Sequence, residues 1–112
     1  ETGEHGTIVN APLFAGSGGD AFREAFNDRI LPRLRNFRPD LILVSAGFDA
    51  HVADPLGGLR LVEVDFGDVT KRLMDIADKC CGGRLVSLLE GGYDTEALSR
   101  CVDAHVLALM GA

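Results

Sequence analysis

The sequence predicts an α/β fold built on a parallel sheet, and three observations support this prediction. Two short apolar runs without alternation, residues 41–44 (LILV) and 85–89 (LVSLL), are typical of parallel strands buried on both faces. A pattern of apolar residues at helical spacing precedes the first run and also follows each run. Strands that alternate with helices favour βαβ units with right-handed crossovers.

The first part of the chain predicts a short strand and then a helix. A β-like run covers residues 7–10, and Asp20 is a suitable N-cap for a helix that begins at Ala21. Pro32 falls inside the helical pattern, so we expect it to kink or tighten the helix there. The helix should end at residues 38–40 (RPD), because the residue before a proline disfavours the α conformation.

The remaining elements alternate between strand and helix. They are a strand at 41–46, a loop at 47–61, a helix at about 62–80, a strand at 85–89 and a helix at about 95–109. Gly82 and Gly83 end the middle helix in the manner usual for a C-terminus. The order β, α, β, α, β, α therefore describes one domain with no internal repeat or linker.

The composition and net charge of the chain limit the number of domains and the kinds of partner that we expect. The chain has 112 residues, 46% of them hydrophobic, which suffices for the core of a single domain. A net charge of −6 with scattered basic residues argues against nucleic acid or an anionic membrane as the main partner. The sequence has neither a long apolar span nor a signal-like start, and its three cysteines form no C-x-x-C spacing. These features predict reduced thiols and a cytoplasmic location.

Chemically useful residues follow both predicted strands. Parallel strands of a βαβ unit point the same way, so residues 47–49 (GFD) and 91–93 (GGY) should emerge at one edge of the sheet. Ligands bind at the carboxyl edge of such sheets. Asp49 has two interpretations that the sequence leaves open: a zinc ligand, or a carboxylate that bonds nearby backbone amides. The phenol of Tyr93 either donates a hydrogen bond to an oxyanion or packs across the strand end with its hydroxyl in water.

The other candidates favour structural roles. Asp49 and His51 are spaced like a ligand pair, but a loop histidine is more often a hydrogen-bonding residue. Residues 16–19 (GSGG) lack the Lys-Ser/Thr of a phosphate-binding P-loop, so a flexible connection is favoured over a nucleotide site. We interpret His5 as a surface residue and His105 as a helix-face residue.

Three segments together resemble the histone deacetylase superfamily. They are residues 45–51 (SAGFDAH), 54–59 (DPLGGL) and 89–94 (LEGGYD). The similarity is closest to the class II-like bacterial branch, which includes the acetylpolyamine amidohydrolases, and residues 38–40 and 10–13 (NAPL) are similar too. The resemblance implies an arginase/deacetylase-like, three-layer α/β fold with a parallel sheet. It also implies zinc-dependent hydrolysis of an acetylated amine, either acetyl-lysine or an acetylpolyamine.

The resemblance also implies roles for individual residues. Asp49 matches the family's zinc ligand that lies apart from its Asp-x-His pair, and Tyr93 matches the catalytic tyrosine that polarises the acetyl carbonyl. Leu56 matches a residue that lines the acyl channel, and Gly91 matches a glycine whose backbone borders that channel. His51 matches no ligand of the family.

Residues 1–112 resemble the C-terminal portion of a single deacetylase-like catalytic domain. The family's Asp-x-His pair and its paired general base and acid histidines belong to earlier segments. His5 is the only histidine among residues 1–40. We therefore expect a missing N-terminal segment, weak zinc binding and no turnover by the chain alone. An alternative is a non-catalytic deacetylase-like interaction module. An unpaired sheet edge also predicts that the isolated chain forms homo-oligomers.

Overall fold

A computed structural model describes residues 1–112 in full, with four α-helices and two strands. The helices are α1 (Gly19–Ala25), α2 (Leu31–Phe37), α3 (Glu63–Cys81) and α4 (Thr95–Leu109), and the strands are β1 (Ile42–Ala46) and β2 (Leu85–Leu89). The two strands pair in parallel, with Ile42 opposite Leu85 and Ala46 opposite Leu89. The predicted α/β class and the parallel sheet are confirmed.

The start of the chain differs from the prediction in two respects. Residues 7–10 form no strand, because no other strand of the chain lies beside them. The first helix begins at Gly19 with Gly18 as its N-cap, so the prediction that Asp20 caps a helix starting at Ala21 is wrong. The carboxylate of Asp65 from α3 occupies the space that a Cβ of Gly19 would need, which explains a glycine at the first helical position.

Pro32 disturbs the first helical region, as expected, but it widens the helix. Residues Phe26–Ile30 form a π-helical segment between α1 and α2, and Pro32 lies in the first turn of α2. A proline donates no N–H to the preceding turn, and a wider turn relieves the loss of that hydrogen bond and the clash of the ring. The helix ends at Phe37, with Arg38 in the left-handed conformation at φ 55°.

The helices cover one face of the sheet, and the opposite face is exposed. Ile42 packs with Leu31, Ile76, Ala77 and Cys81, and Ala46 packs with Phe48, Leu61, Phe66 and Cys101. On the opposite face the exposed fractions are 65% for Leu43, 47% for Val86 and 57% for Leu88. The prediction of strands buried on both faces is therefore wrong for this chain. The apolar runs are typical of burial on both faces, but within residues 1–112 only one face of the sheet has a covering layer.

The middle and last helices follow the sequence prediction closely. Gly82, in the left-handed conformation at φ 61°, caps the C-terminus of α3. Asp94 caps α4, since its carboxylate accepts the N–H of Ala97 at 2.9 Å. None of these helices combines the length and the apolar character that crossing a membrane requires.

Candidate functional site

The loops that follow β1 and β2 are joined by backbone hydrogen bonds. The N–H of Glu90 donates to the carbonyl of Ala46 at 2.9 Å, and the N–H of Phe48 donates to the carbonyl of Gly91 at 2.8 Å. The parallel pairing thus continues beyond the ends of the strands. It brings Asp49, which follows Phe48, against Gly91 at one edge of the sheet, as the order of elements predicts.

Three glycines form the surroundings of Asp49. A Cβ on Gly91 would lie 2.9 Å from Cγ of Asp49, and a Cβ on Gly47 would lie 3.0 Å from its Oδ1. A Cβ on Gly57 would overlap the carbonyl oxygen of Asp49. Because side chains at these positions would displace Asp49, the glycines allow its carboxylate to lie directly on the backbone of the second loop.

The carboxylate of Asp49 is half-buried and accepts no hydrogen bond from the chain. The carboxylate hydrogen bonds in this region end instead on Asp54, Glu63 and Asp94. The alternative in which Asp49 bonds nearby backbone amides therefore has no support in the structure. A half-buried carboxylate without a donor fits a group that binds something from outside the chain.

The other predicted site residues lie at the same open edge. The N–H of Tyr93 donates to Oδ2 of Asp54 at 2.8 Å, while the Tyr93 side chain is 56% exposed. Leu56 is 71% exposed, and its N–H donates to Oδ1 of Asp54 at 2.8 Å. A cavity of about 550 Å³ lies along the segment that precedes β1, and another of about 490 Å³ lies between that segment and Gly57 and Leu59 of the loop after β1; neither is lined by Asp49, Leu56 or Tyr93. The candidate site is thus an open edge and not an enclosed pocket.

The edge fits one ligand of a zinc site. A carboxylate oxygen is a normal zinc ligand, and Asp49 offers one that is half-buried and free of hydrogen bonds. Catalytic zinc sites use three protein ligands, and no group of three potential ligands in this chain includes Asp49. The residues present thus offer one suitable zinc ligand at this edge and not a complete zinc site.

His51 links the site loop to the two long helices. It is 4% exposed, its Nδ1 accepts the N–H of Ala53 at 3.0 Å, and its Nε2 lies 3.0 Å from Oε1 of Glu63. The same oxygen of Glu63 accepts Nε–H of Arg100 at 2.8 Å. This hydrogen bond to Arg100, with smaller contributions from its own backbone N–H and from His51, lowers the pKa of Glu63 to about 2. The prediction that His51 is a hydrogen-bonding residue is confirmed.

His51, Glu63 and Cys101 are close enough together to resemble a metal site, because one ligand atom of each lies within 4.8 Å of the others. Their hydrogen bonds argue against that role. Since Nδ1 of the neutral imidazole accepts the N–H of Ala53, Nε2 carries the proton and donates to Glu63. Burial, reinforced by Glu63, raises the pKa of the Cys101 thiol to about 11, so it stays protonated. We interpret the cluster as a structural link.

His105 is more deeply placed than the helical pattern indicates. It is 8% exposed, its Nδ1 lies 2.8 Å from Oγ1 of Thr70 on α3, and its Nε2 lies 2.8 Å from Oγ of Ser87 on β2. Burial lowers the pKa of His105, which favours the neutral form. His105 thus joins three elements beneath the sheet and lies apart from the open edge. His5 is exposed, as predicted.

The glycine loop at 16–19 is used for packing. The N–H of Gly16 donates to the carbonyl of Gly58 at 2.7 Å, and the N–H of Arg60 donates to the carbonyl of Ser17 at 2.9 Å. The helix that follows has seven residues. These hydrogen bonds make the loop a packed connection to the loop after β1, and nothing in the structure supports the nucleotide-binding alternative.

Comparisons with known proteins agree on one family. The family described as "Histone deacetylase domain" matches residues 1–109. The chain is 47% identical over 104 residues to type-2 histone deacetylase 1 of Dictyostelium discoideum, covering 93% of this chain and 7% of that protein. It is 41% identical over 106 residues to the histone deacetylase-like amidohydrolase of Pseudomonas aeruginosa, covering 95% of this chain and 28% of that protein.

A solved structure shows the same fold. The structure of the HDA15 HD domain superposes with a TM-score of 0.89 at 34% sequence identity, covering 98% of this chain and 31% of that one. The chain thus spans less than a third of each of these proteins. The predicted arginase/deacetylase-like fold is confirmed, while the prediction that residues 1–112 are the C-terminal portion of such a domain stays a prediction.

Proposed function

Because the chain belongs to the histone deacetylase family, we propose that it contributes Asp49 and Tyr93 to a zinc-dependent amidohydrolase site. The reaction is the removal of acetyl groups from acetyl-lysine or acetylated polyamines. One observation carries the proposal: the Asp49 carboxylate lies free of hydrogen bonds against Gly91, on the same edge as Tyr93. An edge arranged in this way can offer a metal ligand and a phenol to one substrate.

In this proposal Asp49 is a zinc ligand. Bound zinc acts as a Lewis acid on the acetyl group and lowers the pKa of water. The contribution of the chain is to place the carboxylate at the edge of the sheet, because Gly47 and Gly91 have no side chain that would displace it.

Tyr93 acts on the acetyl carbonyl as a hydrogen-bond donor. Its backbone is fixed by Asp54 while its side chain is exposed at the edge, so the phenol can reach a substrate. A donor aimed at the oxygen stabilises the negative charge that develops there when the tetrahedral intermediate forms. Leu56 and the backbone of Gly91 border the channel for the acyl chain. The apolar side chain of Leu56 and the absence of a side chain at Gly91 suit an apolar acyl group.

The general base comes from outside these residues in this proposal. The chain has three histidines; His51 and His105 are buried and hydrogen-bonded, and His5 lies in the segment before α1. We therefore expect residues 1–112 alone to bind zinc weakly and to give no turnover.

The test is to insert residues 1–112 into a relative in place of the segment that they match. The histone deacetylase-like amidohydrolase of Pseudomonas aeruginosa is a suitable host, and its unmodified form is the reference. We expect the chimaera to bind zinc and to hydrolyse an acetyl-lysine peptide or an acetylpolyamine, and residues 1–112 alone to bind zinc weakly and to hydrolyse neither substrate. A chimaera that is folded by circular dichroism, binds zinc and hydrolyses neither substrate would support the interaction-module alternative instead.

The exposed sheet face supports a proposal about association. Leu43, Val86 and Leu88 form a contiguous apolar surface beside an unpaired strand edge. We expect the isolated chain to form dimers or larger species in light scattering. The substitution Leu43→Lys should shift it towards the monomer, because a charge on this face must be desolvated on association.

The matched control for this substitution is Val64→Lys. Both substitutions replace an exposed apolar residue by lysine, so the change in net charge is the same. Val64 is 59% exposed on α3 and lies outside the sheet face. A monomeric unmodified chain, or an equal effect of both substitutions, contradicts the proposal.

A further inference from the structure

Asp54 connects the two loops of the candidate site through its carboxylate. Its Oδ1 accepts the N–H of Leu56 at 2.8 Å and the N–H of Gly57 at 3.1 Å. Its Oδ2 accepts the N–H of Tyr93 at 2.8 Å. Tyr93 lies 39 residues further along the chain, so this is a contact between the loop after β1 and the loop after β2.

The arrangement favours an ionised carboxyl. Three N–H donors converge on the two oxygens, and a carboxylate accepts at both without directing an O–H at any of them. Burial disfavours the charge, but the N–H groups of Tyr93, Leu56 and Gly57 outweigh it and hold the pKa of Asp54 below its ordinary value of 3.8. Asp54 is therefore ionised at neutral pH, and both of its oxygens are occupied by backbone N–H groups.

We propose that Asp54 is a positioning residue that fixes the backbone of Tyr93 against the turn that carries Leu56. This inference rests on the proposed function, in which Tyr93 donates to the acetyl oxygen and Leu56 borders the acyl channel. A single side chain then sets the distance between the hydrogen-bond donor and the channel wall. Tyr93 is exposed and lies outside the strands and helices, directly before the cap residue Asp94, and the carboxylate of Asp54 is the group that accepts its N–H.

Amide hydrogen exchange of residues 1–112 tests the inference independently of zinc and of activity. In the unmodified chain we expect the Tyr93 amide to be protected, although it lies in an exposed loop. A hydrogen bond to a charged group typically protects its amide by about ten- to a hundredfold against local opening. Exchange of this amide at the rate of an unstructured peptide overturns the inference.

Two substitutions separate the two halves of the contact. In Asp54→Asn the amide oxygen can still accept from the turn, while the NH₂ group faces the N–H of Tyr93. Exchange at Tyr93 should therefore accelerate about tenfold or more, with Leu56 and Gly57 less affected. In Asp54→Ala all three amides should accelerate. Asp103→Asn is the matched control, because Asp103 is exposed on α4 and the charge change is the same; it should change none of them.

Tyrosine fluorescence gives a second measurement on the side chain itself. The chain has one Tyr and no Trp, so its intrinsic emission comes from Tyr93. We expect the fluorescence anisotropy to fall in Asp54→Asn and Asp54→Ala and to stay unchanged in Asp103→Asn. Unchanged anisotropy in both Asp54 variants contradicts the inference. Accelerated amide exchange throughout β1 and β2 also contradicts it, because it indicates a general loss of stability.

The proposed function can fail separately. A protected Tyr93 amide together with an inactive chimaera would reject the proposed function and leave the contact between Asp54 and Tyr93 established.

Discussion

Replacing Asp49 by alanine in the chimaera is expected to remove zinc binding and hydrolysis together. Asp49 is a half-buried carboxylate at the open edge that accepts no hydrogen bond from the chain, and it lies directly against Gly91. Metal-ion stabilisation of the transition state is worth several kcal/mol, so hydrolysis should fall by about 10³-fold or more. Zinc content and the rate of acetyl-lysine hydrolysis are measured on the same sample.

The control for this prediction is Asp103→Ala, which removes an exposed carboxylate of α4. It should leave zinc content and hydrolysis at the level of the unmodified chimaera. Full zinc occupancy in Asp49→Ala would show that Asp49 is not a ligand, and the proposed role would be wrong.

Replacing Tyr93 by phenylalanine is expected to lower kcat about 10²–10³-fold with zinc content unchanged. The substitution removes only the hydroxyl, and the backbone contact with Asp54 remains because it uses the N–H of residue 93. The lost hydrogen bond strengthens as charge develops on the acetyl oxygen, so the loss should appear in kcat more than in KM. Steady-state kinetics and zinc analysis of the chimaera check this.

Two results would contradict the role of Tyr93. A kcat within about threefold of the unmodified chimaera would mean that the phenol contributes little in the transition state. Loss of zinc in Tyr93→Phe would mean that the residue supports the metal site and does not act on the substrate. The pair Asp49→Ala and Tyr93→Phe thus separates metal binding from stabilisation of the oxyanion.

Local patterns in the sequence predicted most of the fold after residue 41. Both strands and the last helix lie where the apolar runs and the helical spacing place them, because those signals come from neighbouring residues. The run at 7–10 has the composition of a strand but no partner in the chain, and hydrogen-bond pairing is a property of two segments. The exposure of Leu43 and Val86 likewise depends on what covers the sheet, which no local pattern records.

The candidate site was predictable where it depends on topology. Parallel strands bring Asp49 and the 91–93 segment to one edge, and the structure shows the contact with Gly91. The contacts of Asp54 with Tyr93 and of Glu63 with Arg100 join residues 39 and 37 positions apart, and sequence spacing gives no signal for them. The segment 54–57 (DPLG) has the composition of a turn whose first residue accepts backbone N–H groups. This composition indicates the hydrogen bonds of Asp54 within its own turn, but not the one with Tyr93.

A crystal structure of the zinc-loaded chimaera with anomalous scattering at the zinc edge shows whether Asp49 holds the catalytic zinc. We expect an anomalous peak about 2.0–2.2 Å from a carboxylate oxygen of Asp49. We also expect the phenol of Tyr93 to face the same space. A zinc peak at the cluster of His51, Glu63 and Cys101, with Asp49 uncoordinated, would contradict this role of Asp49.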